Sequence, residues 1–165
     1  MDNTFATASE TFPSQKEAYN TLLQHIEERR KVDKNLKFYI YCYTLGKEEV
    51  FFNLAEHFKT KISVDKDRYN KLKAIGMGES YFVTKQMEGD KTVKPFLFMK
   101  PMRDLPKTKE EVDVKTNILH VVLTGWKNQY NIKHPRYLKI PYSSHSSASE
   151  LETFLKALKP SSLVF

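Results

Sequence analysis

Leu36-Lys37-Phe38-Tyr39-Ile40-Tyr41-Cys42-Tyr43 is rich in aromatics and apolar on both faces of a period-2 ribbon. That pattern suits a strand buried in a sheet covered on both sides, rather than the in/out alternation of a half-wet sheet. The turn Thr44-Leu45-Gly46 follows, and from Lys47 to Phe58 the residues Phe51, Leu54, Ala55 and Phe58 make a helical stripe. A buried strand feeding an amphipathic helix is the unit of an α/β fold.

Outward from that unit the alternation continues. Upstream, Ser14 and Glu17 form a capping box ahead of Tyr19, Leu22, Leu23 and Ile26, predicting a helix from about Ser14 to Arg30. Downstream come a short strand (Lys61 to Val64), a basic helix (about Asp65 to Ala74) and another short strand (Tyr81 to Val83). Gln86 to Asp113 holds Pro95, Pro101 and Pro106 among mixed charges and is expected to be an irregular excursion. Ile118 to Leu123 reads as a second buried strand, Thr124-Gly125-Trp126 as a turn, and Tyr137 to Pro141 as a further strand. Ser147 and Glu150 then open a helix lined by Leu151, Phe154, Leu155 and Leu158 and closed by Pro160.

At 165 residues the chain is long enough for one domain with a real core. A net charge of +7 and a pI near 9.3 favour an anionic partner such as nucleic acid or a membrane surface. No apolar run approaches the ~20 residues of a membrane span, and Met1-Asp2-Asn3-Thr4-Phe5 lacks the features of a secretory signal, so no membrane role is expected. The single cysteine, Cys42, excludes an internal disulfide and suits a reducing compartment, nuclear or cytosolic. No C-x-x-C or His-x-x-x-His pair provides a self-contained zinc site.

His145 stands among Ser143, Ser144, Ser146 and Ser147, between a strand and a helix start. Free backbone N–H groups there attract phosphate and a neutral imidazole can ligate a metal; the plainer reading makes the serines caps and His145 an exposed passenger. Lys47, after a buried strand and a glycine turn, is either a phosphate ligand or a solvated first-turn lysine, and the Walker pattern is missing. From Val114 to Ser149 there is no Asp or Glu, while Lys115, Lys127, Lys133, Arg136 and Lys139 are interleaved with Trp126, Tyr130 and Tyr137. Such a tract can grip phosphates and stack bases, or be a solvated face. A second basic cluster runs through Lys59, Lys61, Lys66, Arg68, Lys71 and Lys73. His25 and His120, set in apolar patterns, read as structural histidines.

Five blocks carry a resemblance: Asp2-Asn3-Thr4, Phe12-Pro13-Ser14-Gln15, Tyr43-Thr44-Leu45-Gly46-Lys47-Glu48, Thr124-Gly125-Trp126, and Ile140 to Ser147 with Glu150-Leu151. In order and spacing they resemble the DNA-repair metallo-β-lactamase (β-CASP) nucleases, more the Apollo and interstrand-crosslink repair branch than Artemis. The resemblance implies an α/β fold comprising a β-CASP domain plus the C-terminal strand-helix segment of a metallo-β-lactamase fold, with the N-terminal lactamase half missing. It divides the chain into 1–10 (end of that half), 11–136 (β-CASP insert) and 137–165 (return to the lactamase domain). The family's His-x-His-x-Asp-His motif does not occur in these residues.

By the same resemblance, Asp2 and His145 are expected as catalytic metal ligands, and Thr44, Lys47 and Ser143 as the pocket for the substrate phosphate. Thr44 replaces the Ser more typical of its block, and Ala148 an aromatic residue. The implied cofactor is zinc, whose bound water reaches a pKa near ~7 and attacks a phosphodiester. The implied activity is 5′-to-3′ DNA exonucleolysis from 5′-phosphorylated ends in crosslink, double-strand-break or telomere-end repair, in the nucleus, alongside repair or telomere proteins. Lys127, Lys133 and Arg136 are expected to contact nucleic acid. With most metal ligands lacking, this chain alone is expected to be inactive. Competing readings are a non-catalytic nucleic-acid-binding or interaction module, an RNA-processing β-CASP member, and a small nucleotide-binding protein built on Lys47.

Overall fold

A computed structural model describes residues 13–43, 46–87, 94–126, 128–146 and 148–159. The elements are α1 (Gln15–Val32), β1 (Lys37–Cys42), α2 (Glu48–Phe58), β2 (Ile62–Val64), α3 (Lys66–Ala74), α4 (Gly78–Tyr81), β3 (Phe82–Thr84), β4 (Leu97–Pro101), α5 (Lys109–Asp113), β5 (Ile118–Thr124), β6 (Tyr137–Pro141) and α6 (Ala148–Leu158). Six parallel strands form one sheet in the order β3-β2-β4-β1-β5-β6.

Both faces of the sheet are covered, which is why β1 and β5 are apolar throughout. Phe38, Ile40 and Cys42 of β1 join Leu97, Met99, Leu119, Val121 and Leu123 under α1, α2 and α3, which contribute Leu22 and Ile26, Phe51 and Leu54, and Leu72. Burying each such side chain stabilises the fold by roughly 1.5–3 kcal/mol. On the reverse face Tyr41, Val122 and Tyr137 pack with Leu105 and Val112, and Tyr130 and Ile132 close over them.

The expected irregular excursion needs correction. Within 86–113 the run Leu97–Pro101 is β4, which pairs with β1 from Phe38↔Leu97 to Cys42↔Pro101 and with β2 at Ser63↔Phe98. A central strand is held by hydrogen bonds to distant neighbours, so the prolines at its margins do not exclude it; Pro101 ends it, where a missing N–H costs least. A 3-10 turn (Met102–Asp104) and α5 follow.

Because every strand is parallel, all carboxyl ends lie on one edge. A helix preceding a parallel strand starts at that same edge, so the N-terminus of α1, with Ser14 capping it in a complete capping box, lies there as well. The chain leaves β1 toward the β4 side and leaves β5 toward β6. Neighbouring strands whose connections diverge leave a crevice beyond their carboxyl ends.

Candidate functional site at the carboxyl edge of the sheet

Gly46 has φ +103, a left-handed conformation open to glycine and strained for other residues. That turn lets its N–H donate to Glu48 Oε2 at 2.8 Å and its carbonyl accept from Ser144 Oγ at 2.7 Å. Lys47 is the N-cap residue of α2 and is only 7% exposed, so the solvated reading does not hold. Its Nζ donates to Leu123 O at 2.6 Å and Tyr142 O at 3.3 Å, and lies 5.3 Å from the Tyr142 ring centroid. Burial pushes its pKa down to about 8. The ammonium thus ties the last turns of β5 and β6 to the loop after β1.

The β6–α6 loop is laced to this corner. Ser143 Oγ accepts from His145 N at 3.0 Å and donates to His145 O at 3.2 Å, a local turn that presents the exposed imidazole. Gln15, just inside α1, straps the loop from the other side: its Nε2 donates to Ser143 O and its Oε1 accepts from Tyr142 Oη, both at 3.2 Å. Residue pattern alone does not reveal Gln15 as a tie; its only sequence signal is a place in the Phe12-Pro13-Ser14-Gln15 block. Between α1 and this loop lies a cleft of about 510 Å³ walled by Ser14, Gln15, Ser143, His145, Ser149 and Glu150, among others.

Of the expected site residues, the structure brings together Lys47, Ser143 and His145. Asp2, Thr44 and Lys127 lie outside the described residues, as does the expected cap Ser147. Lys133 is exposed. Arg136 is committed elsewhere: it forms an ion pair with Asp113, to which His134 Nε2 also lies within 3.2 Å, and donates to Thr116 O at 3.5 Å. Lys139 holds its own loop through Gln129 O at 3.1 Å and Asn131 Oδ1 at 2.5 Å. In the second cluster, Arg68 is buried and donates to Cys42 Sγ and Tyr43 O, both at 3.1 Å, bracing the end of β1. His120 is structural: it is buried, its Nδ1 lies 2.8 Å from Tyr41 Oη, and burial lowers its pKa to about 4.

Among the described residues no group of three or more His, Cys, Asp or Glu side chains converges to hold a metal ion. His145 supplies one imidazole where a catalytic zinc takes three protein ligands, so the described residues alone do not fit a metal. No described helix is long and apolar enough to cross a membrane.

A parallel sheet covered on both faces, with a serine-rich, histidine-bearing cleft at its carboxyl edge, defines an α/β domain with a crevice at the divergence of its strand connections. Comparison with known proteins is more specific. The family model described as "DNA repair metallo-beta-lactamase" matches residues 82–164, half of the chain, and the chain belongs to that family. The family is one of metal-dependent proteins by its description, and the α/β fold is that of a metallo-β-lactamase-type fragment.

Relatives agree. "DNA ligase 6" of Arabidopsis thaliana is 27% identical over 182 residues, covering 99% of this chain and 13% of that protein. "5′ exonuclease Apollo" of Rattus norvegicus is 28% identical over 166 residues, with 99% and 28% covered. "DNA cross-link repair 1A protein" of Gallus gallus is 30% identical over 185 residues, with 99% and 18% covered. The chain spans well under a third of the length of each of these three relatives.

Proposed function

We propose that this chain is a portion of a metal-dependent 5′-to-3′ DNA exonuclease acting in interstrand-crosslink, double-strand-break or telomere-end repair in the nucleus. The observation that carries the reading is the Ser144–Gly46 hydrogen bond of 2.7 Å, which holds the His145 loop against the Gly46-Lys47 turn inside the family-matched stretch. In this reading residues 11–136 are the β-CASP insert and 137–165 the return to the lactamase domain, joined where β6 pairs with β5. The substrate is DNA with a 5′-phosphorylated end. Ser143 and Thr44 belong to the phosphate pocket, Lys47 lends it positive potential from beneath, and Lys127 and Lys133 belong to the strand-binding side, Arg136 being held by Asp113.

Asp2 and His145 contribute two ligands to a zinc site whose remaining ligands come from polypeptide bearing the His-x-His-x-Asp-His motif. Alone, the chain is inactive. The test mixes the pure chain with such a polypeptide and follows a 5′-phosphorylated, labelled strand. Cleavage that needs both components and disappears with His145→Ala supports the reading; EDTA-sensitive cleavage by the pure chain overturns the inactivity, and no cleavage in any mixture overturns the nuclease assignment.

A second reading, a non-catalytic nucleic-acid-binding module, is favoured by Trp126, which is 41% exposed in the same acid-free tract as Lys133. Exposed aromatics stack on unpaired bases while nearby cations release counterions from phosphates. Single-strand affinity that falls with added salt and with Trp126→Ala supports it; salt-insensitive affinity removes it.

A further inference from the structure

On the sheet face opposite α1 and α2, a cavity of about 340 Å³ lies over β1, β4 and β5. Its floor is the Tyr39 ring, with Lys100 Nζ at 4.9 Å and Lys115 Nζ at 5.9 Å from the ring centroid. Asp104 and Glu111 stand on its rim. His120 shares the floor, its ring 6.1 Å from that of Tyr39. We infer that this cavity is a binding site for a single nucleotide unit, with the phosphate held between Lys100 and Lys115, the base against Tyr39, and the base's amino edge toward Asp104 and Glu111.

Size fits first: the volume is at the small end of the ~300–1,000 Å³ typical of ligand pockets, room for one base and its phosphate but not a duplex. Charge fits next. Two ammoniums beside one aromatic face suit an anion carried on a flat ring, since the ring attracts cations and stacks on bases while the cations take the phosphate. The two carboxylates would repel a bare polyanion; they favour a ligand with N–H donors at its other end. The purine edge of guanine, with N1–H and an exocyclic amine, meets that demand.

The buried histidine lies among the residues lining the same cavity. His120 is 5% exposed, and its Nε2 has no hydrogen-bond partner among the described residues. His120 Nδ1 and Tyr41 Oη share a hydrogen bond of 2.8 Å in which either can be the donor. A buried polar atom left unpaired costs about 1–3 kcal/mol. The site lies on the other side of the sheet from the His145 cleft and does not depend on the nuclease reading.

The test titrates the 165-residue chain with dGMP, following tyrosine fluorescence and heat. Saturable binding is expected, weakened about tenfold or more by the double substitution Lys100→Ala/Lys115→Ala and unchanged by Lys66→Ala, an exposed lysine on α3. His145→Ala should leave it unchanged. No saturation by about 10 mM dGMP, equal affinity in the double variant, or inorganic phosphate binding as tightly as dGMP would each overturn the site. A short 5′-phosphorylated oligonucleotide that displaces dGMP assigns the site to a strand end, and one that does not assigns it to free mononucleotides; either result requires, and so supports, a nucleotide site.

Discussion

Ser144 Oγ donates a 2.7 Å hydrogen bond to the carbonyl of Gly46, 98 residues earlier in the chain. That bond joins the loop after β6 to the turn after β1 and sets the height of His145 above the sheet edge. Ser144→Ala should cost about 1 kcal/mol, the usual net worth of one such bond. The expected readout is a small drop in urea midpoint with faster amide exchange confined to residues 143–146; unchanged exchange there would show that the latch is not what holds the loop.

Gly46→Ala acts on the same latch through the backbone. A methyl group would find ordinary contact with Ser144 Oγ at 3.8 Å, so space is not the obstacle; φ +103 is. A loss of about 1 kcal/mol or more is expected, because alanine rarely adopts that conformation. Equal thermal stability of the variant and the parent would contradict it.

Lys47→Ala removes the donor shared by Leu123 O and Tyr142 O and leaves a hole between two strand ends. A loss of about 2–3 kcal/mol follows. The pH dependence has a definite sign. With a folded pKa of about 8 against 10.5 unfolded, the unfolded chain binds more protons between those values, so stability rises with pH across that window. The parent should therefore gain on Lys47→Met as pH is raised from 8 to 10; a constant difference in their urea midpoints would refute the depressed pKa.

His120 controls the acid side. Burial, with Arg136, Lys115 and His134 adding positive charge, lowers its pKa to about 4 from 6.5. The unfolded chain binds the extra proton between those values, so stability falls as pH drops from 6.5 to 4, by an amount on the order of 2–3 kcal/mol. His120→Gln should flatten that slope in a pH series of denaturation midpoints. If the slope persists, other groups carry the acid sensitivity.

Much of the fold is legible in the chain because its signals are local. The capping box Ser14–Glu17, the stripe Phe51-Leu54-Ala55-Phe58 and the run Ile118–Leu123 each declare their element from neighbours within one or two turns. β4 is not legible in the same way. Phe96-Leu97-Phe98-Met99 is apolar, but Pro95 and Pro101 bracket it, and its evidence is the hydrogen-bond register with β1 and β2. In the site, His145 and Ser143 stand out by composition, whereas Gln15 is an ordinary helix residue until its amide is seen 128 residues away from its partner carbonyl.

The sequence by itself determined an α/β chain with buried parallel-type strands, a basic surface, and a Ser/His tract at a helix start, because periodicity, capping and charge act over a few residues. Only the tertiary structure decided that Lys47 is buried, that Arg136 and Lys139 are spent on Asp113 and on a neighbouring loop, and that β4 runs through the middle of the sheet. The physical reason is that a polar group's role depends on which partner satisfies it. Here the satisfying atoms, Leu123 O in β5 and Tyr142 O just after β6, lie 76 and 95 residues from Lys47, and no local pattern encodes them.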